Sequence, residues 1–164
     1  MKTPWWSAGL LLLAFAAGFL LYQAVIYVAG FLAAIAVPSS YFAWFGRGRA
    51  ELAAAIVILT TMALPMAILF AGGTLASYRL LRELPPRPFM LAIVAGAVTC
   101  FVFRTASSML YLSELPREVQ PVPISDVLWQ ILLPPWWAVP SAVAPWLGLA
   151  FAGWLILRRA RHEA

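Results

Sequence analysis

Residues 89–112 read FMLAIVAGAVTCFVFRTASSMLYL. A helix needs about 20 predominantly apolar residues to cross the hydrocarbon core of a bilayer. This stretch supplies them with one ionisable side chain, Arg104. Ala92, Gly96, Cys100, Arg104 and Ser108 recur at every fourth position, and residues four apart share a helix face. Thr99, Ser107 and Tyr111 fall on the same side. The spacing predicts a membrane helix with one small-to-polar stripe turned toward the interior of a helix bundle. Small residues there permit close approach, and hydroxyls bond across helices. Ala63, Ala67 and Ala71, together with Gly148 and Ala152, are the expected opposing surfaces.

Three more segments of this kind surround it, giving spans at about 7–37, 50–77, 89–112 and 134–157. The whole chain of 164 residues is 64% hydrophobic and 10% charged. Soluble proteins average about half apolar and about a quarter charged, and a mean hydropathy of +0.90 excludes a soluble enzyme, a disordered tail or a secreted disulfide scaffold. The expectation is all-α: a polytopic integral membrane protein forming a single four-transmembrane-helix bundle over 1–164. The first segment, at about 31 residues or ~46 Å, exceeds the ~30 Å core, so it tilts or runs into the headgroup layer, with Gly30 and Pro38 as places to bend or stop. Its apolar run is about twice the ~7–15 residues of a signal peptide core, which favours a retained anchor.

The connections set the orientation. Lys2, Arg79, Arg82, Arg87, Arg158, Arg159 and Arg161 share one side with both termini, against Arg47, Arg49 and Arg117 on the other. The excess of cations marks the cytoplasmic side, so both termini are expected in the cytoplasm, in a bacterial inner membrane. Trp5, Trp6 and Trp154 then fall near the inner interface, and Trp44, Trp129, Trp136 and Trp137 near the outer one, where indole rings prefer to sit. Trp146 is mid-span and is expected to pack against a neighbour. In the middle connection, YRLLRELPPRP (78–88), Arg79 and Arg82 suit a helix C-terminus, and Pro85, Pro86 and Pro88 stop the helix. On the outer side, 41–45 and 127–133 read as short interfacial segments. They either seal the rim or dock a partner. Pro140 and Pro145 are read as interior to the fourth span, each removing a backbone donor.

Arg104 carries the functional question. A charged side chain mid-helix costs about 2.5–3.5 kcal/mol on insertion scales. At 1.5 Å per residue it lies ~12 Å below Leu112, while Thr60 and Thr61 lie ~14 Å inside Glu51, and Gln23 lies ~24 Å above Ser7. These positions predict one polar layer of Gln23, Thr60, Thr61 and Arg104, with Tyr27 and Ser108 beside it and Ser141 able to join. Glu51 is the nearest acid by depth, and Arg104 can snorkel toward it. One reading is a structural Arg–Glu pair. The other is a site for an anionic or polar group, such as a lipid headgroup, a quinone carbonyl or a partner's acidic residue.

Catalytic and cofactor chemistry find little support. The chain has one cysteine, Cys100, and one histidine, His162. No metal-ligand spacing or nucleophile motif is present, and no acid lies within a span, so no catalytic residue, metal or cofactor is expected. The dispersed cations suit anionic lipid rather than nucleic acid. The composition fits a non-catalytic membrane component: an accessory or assembly subunit, or an embedded regulator of a larger complex. Its expected partners are membrane lipids and another membrane protein or further copies of itself. An oligomeric channel or transporter component with an anion, lipid-headgroup or quinone site around Arg104 is the alternative.

Overall fold

The computed structural model describes residues 4–36, 56–114 and 139–162. All regular structure among them is helical. Helix α1 spans Pro4–Ala36, α2 Leu64–Leu80, α3 Pro86–Glu114 and α4 Val139–His162. A π-helical turn, Leu59–Ala63, leads directly into α2. Four helices are long and apolar enough to cross a membrane, over Trp5–Ala29, Ile56–Leu80, Pro86–Tyr111 and Val139–Arg161. Glu51, the outer interfacial segments at 41–45 and 127–133, and the span ends at 50–55 and 134–138 lie outside the described residues.

These helices are apolar almost all round, so burial is decided by side-chain size along a seam. On α1 the buried positions include Ala14, Gly18, Tyr22, Val25 and Ala29, spaced by fours and a three, as one helix face requires. On α3 they include Phe89, Ile93, Gly96, Ala97 and Cys100. The two seams meet at their glycines. A Cβ on Gly18 would strike the Ile93 carbonyl oxygen, and one on Gly96 would strike that of Phe15. A second pairing joins α2 to α4, where a Cβ on Gly148 would strike the carbonyl oxygen of Ala67. In lipid, where burial of apolar surface does not drive helices together, such backbone approach is a main source of packing energy.

The stripe on α3 therefore has a different neighbour from the one expected. Gly96 packs on Phe15 and Phe19 of α1, while the Gly148 surface of α4 is taken by Ala67 of α2. The stripe is also shorter than the four-residue spacing implies: Thr99, Ser107, Ser108 and Tyr111 are all exposed. Between the two pairs, each helix contributes one aromatic ring. Tyr22 meets Phe70, Phe101 and Trp146 at centroid distances of 6.1, 6.3 and 5.6 Å, and Phe101 meets Trp146 at 6.2 Å. Offset and edge-on geometries of this kind add to area burial, and they give Trp146 its neighbours.

The prolines act differently from their reading as helix stops. Pro86 and Pro88 lie in the first turn of α3, where a missing N–H costs nothing. The reversal from α2 takes residues 81–85, with Leu84 buried and its N–H bonded to the Leu81 carbonyl at 2.9 Å. Pro140 falls in the first described turn of α4, which leaves Pro145 as the proline inside that helix. At Pro65, an ordinary α-turn would drive the ring into the Thr61 carbonyl. The chain widens there instead: the Leu64 N–H bonds five residues back, to Leu59.

Candidate functional site

Gln23 on α1 and Arg104 on α3 face each other just beyond the glycine contact. The pairing follows from the seam, since Gly18 and Gly96 fix the crossing and the next turns bring 23, 100 and 104 together. Gln23 Oε1 accepts from Arg104 Nη1 at 3.2 Å and from the Cys100 thiol at 3.3 Å. One amide oxygen thus accepts from two donors of the stripe, Cys100 and Arg104. Arg104 also lies over the Tyr27 ring, its guanidinium carbon 5.3 Å from the centroid, a cation–π arrangement favoured where water is scarce. Gln23 and Arg104 are half-buried, and Tyr27 is 64% exposed.

Past this contact the helices leave a groove of about 500 Å³ lined by Gln23, Tyr27, Phe103, Arg104, Ser107, Ser108 and Tyr111. Its chemistry is mixed. A guanidinium and two serine hydroxyls sit at the polar part, flanked by three aromatic rings. A guanidinium has five N–H donors, and among the described residues one hydrogen bond, to Gln23, engages it. The remaining donors and the serine hydroxyls suit a group rich in acceptor oxygens.

Of the residues expected in one polar layer, the structure brings together Arg104, Gln23, Tyr27 and Ser108. Thr60 and Thr61 stay apart from the groove. Thr60 donates to the Ile56 and Val57 carbonyls at 2.9 and 3.2 Å, and Thr61 to Val57 at 2.6 Å. Their hydroxyls bond carbonyls of the helical turn just ahead of the π segment, so equal depth did not make them partners of Arg104. Glu51 lies outside the described residues. Phe103, Ser107 and Tyr111 belong to the lining as well. Ser107 and Tyr111 were already read as part of the stripe, while Phe103 follows from standing next to Arg104 with its ring 6.4 Å from that of Phe19. Comparison with protein-family models, curated proteins and solved structures finds no match.

Proposed function

We propose that the protein is a non-catalytic component of the bacterial inner membrane, with both termini cytoplasmic, its four helices crossing as one bundle. It acts by binding, as an accessory or assembly subunit or an embedded regulator of a larger complex, and its recognition site is the groove beside Arg104. The observation that carries this reading is the incomplete engagement of Arg104, which has one hydrogen bond among the described residues and a groove of about 500 Å³ in front of it. Unmet N–H donors are expensive in hydrocarbon, and an intramembrane charge of this kind marks a functional position by default. A lipid ester or phosphate, or a carboxylate on a partner helix, supplies what the guanidinium lacks. The many apolar side chains exposed along all four helices, among them Leu12, Leu20, Ile68, Leu91 and Phe151, fit lipid or helix contact around that site.

The test is a photoreactive phenylalanine analogue in place of Ser108, with the same analogue at Leu12 as control, irradiated in living cells. A discrete adduct from position 108, lost on Arg104→Leu and weakened on Arg104→Lys, is expected. A protein adduct assigns a partner helix, and a lipid adduct assigns a headgroup. Identical adducts from both positions, insensitive to Arg104, would overturn the reading.

A further inference from the structure

The opposite end of the molecule holds a second polar cleft, unrelated to the Arg104 groove. Pro85, Pro86, Arg87 and Pro88 form one wall, and Leu157, Ala160 and Arg161 form the other, enclosing about 360 Å³. Arg161 lies in the last turn of α4, where a cation complements the negative end of the helix dipole. Arg87 is in the reverse situation. It lies in the first turn of a long helix, where a cation is disfavoured, and that turn contains no acid. Pro86 and Pro88 have no N–H to offer, and the Phe89 N–H is taken by the Pro85 carbonyl at 3.1 Å.

Glu83 Oε2 accepts the indole N–H of Trp6 at 2.9 Å, which draws it toward α1. Neither Arg87 nor Arg161 forms an ion pair with any described residue. Arg87 and Arg161 thus line one cavity beside the start of α3. The remaining walls, Leu157, Ala160 and the proline rings, are apolar and suit the carbon atoms attached to an anion.

We propose that this cleft binds a phosphate group between Arg87 and Arg161, and that the phosphate is that of an anionic membrane phospholipid. The planar guanidinium matches phosphate oxygens in a bidentate manner, and the apolar walls favour a lipid over a free ion.

The test uses the full chain, purified in mild detergent and offered equimolar phosphatidylglycerol and phosphatidylcholine, with retained lipid counted by native mass spectrometry. Wild type is expected to retain phosphatidylglycerol about thirtyfold over phosphatidylcholine, the factor that two arginines supply at an anionic surface. The Arg87→Gln/Arg161→Gln variant is expected to lose that preference, and Arg87→Lys/Arg161→Lys to keep part of it. The Arg79→Gln/Arg82→Gln variant, with the same loss of charge elsewhere, is expected to keep it in full. A parallel thermal-shift series with inorganic phosphate separates the sources. Stabilisation by inorganic phosphate that depends on Arg87 and Arg161, without lipid preference, assigns a soluble phosphate compound to the cleft. An equal fall in lipid preference in both Gln pairs, or no preference in wild type together with no phosphate stabilisation, overturns the proposal.

Discussion

Arg104 and Gln23 show how a single charge is accommodated among apolar helices. The amide oxygen of Gln23 stands where the guanidinium and the Cys100 thiol both reach it, so loss of Gln23 strands two donors rather than one. A double-mutant cycle measures this coupling directly. Gln23→Leu is expected to destabilise the wild-type protein and to have much less effect in an Arg104→Leu background. The coupling energy should fall at about 0.5–2 kcal/mol, the range of interhelical hydrogen bonds in membranes, read from reversible unfolding in detergent. Additive effects would mean that the two side chains do not act on one another. The pairing was partly legible in the sequence. Counting residues from the ends of the apolar runs brought Gln23 and Arg104 to one depth, because helical rise is fixed. The same count placed Thr60 and Thr61 there too. Depth alone does not give the direction a side chain faces, and those hydroxyls turn to their own backbone.

At the scale of the helix, apolar length was the strongest signal, since the length that a bilayer crossing demands is fixed and needs no knowledge of packing. The partner of each helix was much less legible. Helices that are apolar all round have no polar face to point the seam, and small residues recur on several of them. The structure resolves the ambiguity at glycines. Gly96 abuts the Phe15 carbonyl and Gly148 the Ala67 carbonyl, while Gly9 and Gly72 have nothing within 4 Å of an added Cβ. Alanine at any of these positions gains up to about 1 kcal/mol of helix propensity. At Gly96 and Gly148 the new methyl meets backbone that cannot turn aside, and overpacking of this sort costs about 1–3 kcal/mol or more. Gly96→Ala and Gly148→Ala should therefore lower thermal stability, whereas Gly9→Ala and Gly72→Ala should leave it unchanged or raise it. Equal behaviour at all four would contradict the two pairings. The π turn was also illegible in composition: its cause is Pro65, read in the sequence only as one more residue of an apolar run.

For the molecule as a whole, the two polar clefts lie at opposite ends of α3, and each has a different chemical setting. The groove at Arg104 combines one guanidinium with hydroxyls and aromatic rings. The cleft at Arg87 and Arg161 combines two guanidiniums with a helix start. In the proposed orientation the first faces the outer half of the bilayer and the second the cytoplasmic headgroups, where anionic lipid concentrates. Both assignments depend on the number of crossings and on which side the connections lie. Single-cysteine variants in a Cys100→Ala background test this most directly, with a membrane-impermeant maleimide applied to intact spheroplasts and then to permeabilised ones. Ser113→Cys is expected to react in intact spheroplasts, and Arg82→Cys and Ala164→Cys only after permeabilisation. Reaction of Ser113 and Arg82 from the same side, or of Arg82 and Ala164 from opposite sides, would contradict the account.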